Sequence, residues 1–260
     1  MNKEIADSVK NLPSEAGVYF FYDERDQLIY IGKSINIKKR VQQHFSSRDR
    51  KSQKIQLFTK RVVCEVMGSE LIALLHESDL IKKYQPIYNR SQRRSIYQYG
   101  WYLRDCDGYK GLSIEKTKPD QEAITSFSTM REAKQALFRI TEKYHLCQKI
   151  NGLYKTSSSC FQFQLKECYG ACINKEAPEF YNSRLESFLS KTSFQNFTQV
   201  FEVSGRTREE KGVVYIENGV YKGFGFCPAD TEKALQVDYI QPRADNRDVR
   251  RILMRHLIDL

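Results

Sequence analysis

The sequence has no long apolar run. Its longest stretches, such as residues 71–75, fall far short of the roughly 18 apolar residues a membrane-spanning helix needs, so no membrane partner is expected. The first ten residues, MNKEIADSVK, lack the apolar core of a secretory signal, which places the expected location in the cytoplasm. Internal repeats and low-complexity tracts are absent. Acidic residues are scarce where bases are dense. From Lys33 to Arg61 ten lysines and arginines face Asp49 alone, and no acid falls between Leu80 and Arg104. Seven cysteines in a cytoplasmic chain do not make a disulfide framework, which excludes the small stapled secreted folds.

What is present is the composition of a folded protein: 260 residues, 40% hydrophobic and 28% charged, with a net charge of +10. Nearly all of that excess lies in one stripe, Lys33, Lys38, Lys39, Arg40, Arg48, Arg50, Lys51, Lys54, Lys60 and Arg61. A second patch holds Lys82, Lys83, Arg90, Arg93 and Arg94. A solvated helix face ordinarily carries both signs, whereas a stripe of one sign releases counterions from a polyphosphate, so nucleic acid is the expected partner.

Residues 17–22 (GVYFFY) and 27–31 (QLIYI) are β-branched and aromatic around a polar turn, the pattern of a hairpin that Gly32 should end. Asn36 can cap a helix to about Ser46 with Ile37, Val41 and Phe45 on one face. A basic helix over 50–59, a strand over 61–67, and a helix from Glu70 to Tyr84, capped by Ser69 and stopped by Pro86, complete a β-β-α-α-β-α domain. Strands are expected at 100–103 and 112–116, and a helix at 130–143 capped by Ser128. A polar helix near 176–190, a hairpin around Asn218-Gly219 and an amphipathic helix over 246–259 follow. The class is α+β: a small antiparallel sheet flanked by helices, a cysteine-rich segment, and a small β-rich C-terminal domain. The expected segments are 12–95, 96–145, 146–192 and 193–260.

Glu77 lies among Leu74, Leu80, Ile81 and Tyr84 on its helix, so its carboxylate needs a cation or several donors. A lysine or arginine would serve, and so would a divalent ion shared with a phosphate. Tyr19 and Tyr30 stand on adjacent strands, and Gly32 before Lys33 permits close approach of a backbone or ligand. Arg40 and His44 share a helix face; the guanidinium can hold a phosphate oxygen bidentately and the imidazole can move a proton.

Together, Gly17-Val18-Tyr19, Tyr30-Ile31-Gly32, Arg40, Glu77 and Asn89 resemble the GIY-YIG nuclease superfamily in order and spacing. The resemblance implies one magnesium or manganese ion held by Glu77, and a tyrosine, with Tyr30 preferred, acting as or assisting the general base toward water. It implies that Arg40 and Lys33 stabilise the pentavalent phosphate and that Asn89 orders the site. The stretches LPSEAGVYFF, YIGKSINIKKRVQQHF and LLHESDLIKKYQPIYN resemble the N-terminal nuclease half of the bacterial excinuclease subunit UvrC and its shorter homologue Cho. His44 stands where tyrosine is common in UvrC.

The quartet Cys147, Cys160, Cys168 and Cys172, spaced C-x12-C-x7-C-x3-C, suits a tetrahedral metal or an iron–sulfur cluster. The resemblance implies a [4Fe–4S] cluster; spacing leaves zinc open. Residues 195–260 contain no acidic cluster like that of the second, RNase-H-like nuclease of full-length UvrC. One incision of damaged double-stranded DNA, 3′ to the lesion and guided by a UvrB–DNA complex, is what the resemblance implies. The alternatives are a nuclease for branched or recombination DNA and a non-catalytic DNA-binding module.

Overall fold

The computed structural model describes residues 3–89, 97–118, 120–121, 123–192 and 197–259. Arg90, Arg93 and Arg94 of the second basic patch lie outside the described residues. The chain divides into two compact units: residues 1–95 with 194–253, and residues 96–193 with 254–260. The chain leaves the first unit after residue 95, builds the cysteine-bearing second unit, and returns to the first at residue 194.

The first unit is built on a hairpin of β1 (Gly17–Tyr22) and β2 (Leu28–Ser34), with β3 (Arg61–Val66) on the far side of β1. Both pairings are antiparallel, and Tyr19 faces Gly32 on one side and Cys64 on the other. The second strand passes through Gly32 instead of ending there. Two features explain this: Gly32 is paired with Tyr19 in the ladder, and its missing side chain makes room for the Tyr19 ring.

Helix α1 (Lys3–Lys10), which periodicity did not reveal, joins α2 (Ile37–Ser46) and α3 (Arg50–Phe58) on one side of the sheet. They contribute Ile5, Val9, Ile37, Val41 and Ile55 to a cluster with Tyr19, Phe21, Ile29 and Tyr30. Asn36 caps α2 by accepting the Lys39 N–H, and Asp49 caps α3 by accepting from Lys51 and Ser52. Helix α4 (Glu70–Tyr84) packs on β1 and β2. Ser69 caps it, and Gln85 in a left-handed conformation ends it ahead of Pro86.

Residues 199–242 add a four-stranded antiparallel sheet, in which a strand at Gln199–Ser204 pairs with the expected hairpin of Glu210–Glu217 and Val220–Pro228. It belongs to the same unit as α4. A Cβ at Gly212 would lie 2.5 Å from Ile72 Cδ1, and one at Gly68 would lie 1.8 Å from the Gly205 carbonyl oxygen. Arg243 reaches Asp79 at 3.1 Å and stacks 4.0 Å from the Phe224 ring centroid.

In the second unit, strands Tyr99–Cys106, Tyr109–Lys116 and Ser126–Phe127 form a sheet around Trp101, Tyr102 and Leu112. Thr129, not Ser128, caps the helix Met130–Lys143, because its side chain accepts the Glu132 N–H while Glu132 accepts the Ser128 N–H. Among the described residues, no helix is long and apolar enough to cross a membrane.

Candidate active site

Tyr19, Tyr30 and His44 converge inside the first unit, all less than a tenth exposed. Tyr19 arrives from the central strand, Tyr30 from its hairpin partner and His44 from the last turn of α2. The Tyr19 hydroxyl lies 2.8 Å from His44 Nε2. The Tyr30 ring is 6.1 Å from that of Tyr19 and 5.3 Å from the imidazole. Burial, followed by the charges of Arg40 and Lys51, holds the His44 pKa down to about 4, so the imidazole is neutral near pH 7. A neutral ring has one donor and one acceptor nitrogen. His44 Nε2 faces the Tyr19 hydroxyl, and Nδ1 is buried with no partner.

Burial raises both phenols. Tyr30 is pushed up to about 12, with the charge of Glu77 as the second cause. Tyr19 goes higher still, with burial first and Tyr30 second, against a lowering influence of Arg40.

Glu77 is 8% exposed on α4, as the helical wheel anticipated. One of its carboxylate oxygens accepts the Lys33 backbone N–H at 3.1 Å. Asn89, fully buried in a short 3-10 turn, clamps β2 from the side. Its Oδ1 accepts the Ile31 N–H at 2.9 Å, and its Nδ2 donates to the Ile31 carbonyl at 2.8 Å. This pair imitates the hydrogen bonding of a neighbouring strand and fixes the segment that carries Tyr30 and Lys33. Arg40 is exposed, with Nη1 donating to Gln43 Oε1 at 3.2 Å.

Not every basic residue expected to contact phosphate stands alike. Lys33 pairs with Glu70, and Lys82 pairs with Asp248 and Asn246. Lys38, Lys39, Arg48, Arg50, Lys51 and Lys54 keep to α2, α3 and the loop between them, most of them exposed. Lys83 Nζ sits 5.1 Å from the Tyr84 ring centroid. Sequence reasoning missed Glu70 as the partner of Lys33, and it missed Lys51 Nζ, 4.6 Å from the Tyr30 ring centroid. The only signal for the first was an acid in the first turn of α4; a cation–π contact between β2 and α3 has no local signature.

In the second unit the four cysteines gather. Sγ of Cys160 lies 4.0 Å from that of Cys147 and 3.9 Å from that of Cys168. The sulfurs of Cys147, Cys160 and Cys172 are all within 4.8 Å of one another. Burial raises the Cys160 thiol, and the Cys147 thiol is raised by its neighbour Cys168 and then by burial. Asn151 supports the approach, donating to the Cys147 carbonyl and to the Tyr181 hydroxyl, both at 2.8 Å. Cys64 and Cys106 are half-buried and Cys227 is buried.

Two family models divide the chain. The UvrC-like GIY-YIG domain matches residues 15–90, and the UvrC/Cho excinuclease middle domain matches residues 99–191. The first spans the tyrosine–histidine–glutamate site and the second spans the cysteines. Residues 15–90 and 99–191 thus match, in order, the GIY-YIG domain and the middle domain of UvrC/Cho excinucleases. It is 33% identical to the excinuclease Cho of Escherichia coli (strain K12) over 188 residues, 70% of this chain and 63% of Cho. It is 31% identical to the UvrABC system protein C of Christiangramia forsetii over 225 residues, 78% of this chain and 36% of that protein. The chain therefore spans under two thirds of the length of these curated relatives. Among solved structures, the magnesium-bound GIY-YIG N-terminal endonuclease domain of UvrC from Thermotoga maritima is 31% identical, covering 34% of this chain and 99% of that one, with a TM-score of 0.33.

Proposed function

We propose that this chain is a divalent-metal-dependent DNA endonuclease that makes one single-strand incision, 3′ to a lesion, in nucleotide excision repair. The observation that carries this reading is the seating of Glu77, a buried carboxylate anchored to the Lys33 N–H and close enough to Tyr30 to raise its pKa. One carboxylate completed by waters and a substrate phosphate is a donor set that magnesium or manganese accepts, so the residues fit the ion. When bound, the ion polarises a phosphate oxygen and eases deprotonation of water.

The remaining work falls to the chain. Arg40, exposed beside the buried tyrosines, holds a phosphate oxygen and meets the charge that grows on it in the transition state. Lys33 supports the same charge after exchanging Glu70 for phosphate; a half-exposed ion pair of this kind is worth little, so the exchange costs little. Tyr30 assists the general base: it takes the proton of the attacking water as its own phenolic proton passes to bulk solvent. It suits this better than Tyr19, whose hydroxyl faces His44 and whose proton is held more tightly. Glu77 is one cause of the high Tyr30 pKa, so whatever neutralises Glu77 loosens the Tyr30 proton. Asn89 orders the strand and touches no reacting atom in this scheme.

The four cysteines hold a [4Fe–4S] cluster that braces the second unit. Their all-sulfur donor set and buried convergence support it, with zinc as the alternative. The substrate is damaged double-stranded DNA presented as a UvrB–DNA complex in the bacterial cytoplasm.

The test is incision of a lesion-bearing duplex with magnesium or manganese, with and without the UvrA–UvrB loader. Loader-dependent cutting on the 3′ side, lowered about 100-fold or more by Glu77→Gln, supports the reading. Efficient cutting of branched DNA without the loader would replace it with the recombination alternative. Undiminished incision by Glu77→Gln would reject the site.

A further inference from the structure

Beside the tyrosine site lies an open groove of about 620 Å³, lined by Arg50, Lys51, Lys54, Phe58, Ile87 and Tyr88. Its two characters are separate. Three cations come from the first two turns of α3, and the apolar wall comes from the end of that helix and the turn that carries Asn89. Phe58 and Tyr88 stack with ring centroids 6.4 Å apart and planes inclined by 26°. Phe58 remains 48% exposed and Ile87 50% exposed. A soluble domain gains nothing by showing water two large apolar side chains next to a stacked ring pair, so a patch of this kind marks a binding surface. Lys51 belongs both to the groove and to the active site, where it stands over Tyr30.

We infer that this groove receives one unstacked nucleotide of the DNA strand next to the scissile phosphate, its base lying against the Phe58–Tyr88 pair and its phosphates against Arg50, Lys51 and Lys54. Charge selects the occupant. An apolar peptide would leave three cations unmatched, whereas a nucleotide presents an anionic backbone and a π-face together. Stacking of a base on an aromatic side chain contributes about 1–3 kcal/mol and accepts any base; the cations add a salt-dependent term. Burial lowers the Lys51 pKa, and an arriving phosphate favours its charged form. A duplex holds its bases stacked, so the groove fits a substrate already opened at the cut, as a lesion-bearing or gapped duplex is. Branched DNA would satisfy it only through an unpaired arm. This inference rests on the DNA endonuclease reading and adds the local form of the substrate.

The experiment uses the full-length chain and a fluorescently labelled single-stranded oligonucleotide, a gapped duplex and an intact duplex of the same sequence. Binding is read by anisotropy in calcium, and cutting in magnesium. Phe58→Ala and Tyr88→Ala should each weaken single-strand and gapped-duplex binding about 5- to 100-fold and change intact-duplex binding little. Phe58→Trp should restore binding, which a purely structural defect would not allow. Leu57→Ala, an exposed neighbour outside the groove, should leave affinity unchanged. A 2-aminopurine beside the cut should change its fluorescence with wild-type protein and not with Phe58→Ala.

Equal affinities of wild type and Phe58→Ala for all three DNAs would overturn the groove while leaving the endonuclease reading intact. A defect seen only when the loader protein is added would also overturn it, assigning the groove to a protein. Wild-type binding of single strand with no incision of any DNA, even after the UvrA–UvrB loader is added, would instead remove the endonuclease reading and leave the groove as a single-strand-binding surface only.

Discussion

The Tyr19 phenol lies across the bare α-carbon of Gly32, its partner in the β1–β2 ladder, so closely that a methyl group there would sit 2.3 Å from its hydroxyl oxygen. Tyr19 is 1% exposed and cannot swing aside. The glycine is therefore fixed by space, since its backbone has ordinary strand geometry.

Gly32→Ala should accordingly move Tyr19 off His44. Overpacking of this kind costs about 1–3 kcal/mol, and incision should fall at least about 10-fold while the secondary structure persists. Urea denaturation and a cleavage time course read the two effects separately. Wild-type stability and activity in the variant would show that the ring is free to yield.

His44 gives the protein an acid-sensitive core. Its pKa is about 4 when folded, against an ordinary value near 6.5, with burial as the main cause. Between those values the unfolded chain binds the proton and the folded one does not. Stability should thus fall as pH drops from about 6.5 to 4, by up to about 3 kcal/mol from this residue. Below pH 4 both forms are protonated and the loss stops growing. His44→Gln should flatten that part of the stability profile, measured by urea denaturation at half-unit pH steps.

Asn89→Ala should leave the buried N–H and C=O of Ile31 without the partners that Asn89 supplies. A loss of about 2–4 kcal/mol is expected. Amide exchange at Ile31 should accelerate well beyond exchange at Phe20, on the neighbouring strand. Equal acceleration at both would mean global unfolding, not a local clamp.

The cysteine quartet predicts a split response. Cys160→Ser, or treatment of the purified protein with a chelator, should loosen the second unit, seen as faster exchange around Leu112 and Tyr181. A brown protein with broad visible absorbance identifies the iron–sulfur form. A colourless protein holding one zinc identifies the alternative. A colourless, metal-free protein with unchanged melting would reject both.

Much of the first unit was legible because its signals are local. Apolar residues at Ile37 and Val41, the caps Asn36 and Ser69, and the breaker Pro86 act within a turn or two of the elements they define. Helix α1 escaped because it is only eight residues long and offers just two large apolar positions, Ile5 and Val9, whose burial depends on the cluster they join. The strand Gln199–Ser204 escaped for the same reason: it is half-exposed, and its hydrogen-bond partner follows it in the chain. Lys82 reads as part of a phosphate-binding patch until Asp248, distant in sequence, is placed beside it.

The sequence alone determined the ingredients: the tyrosines, arginine, glutamate and asparagine in GIY-YIG order, the one-signed stripe, and four cysteines spaced for a metal. Only the tertiary structure decided which of them meet. It set Tyr19 against His44 and Gly32, Glu77 against the Lys33 backbone, Lys51 over Tyr30, and residues 194–253 in one unit with 1–95. The division follows from the range of the forces involved. Caps, periodicity and charge density act along a few residues of chain, whereas burial, hydrogen bonding across strands and ring contacts join residues that only the closed fold brings together.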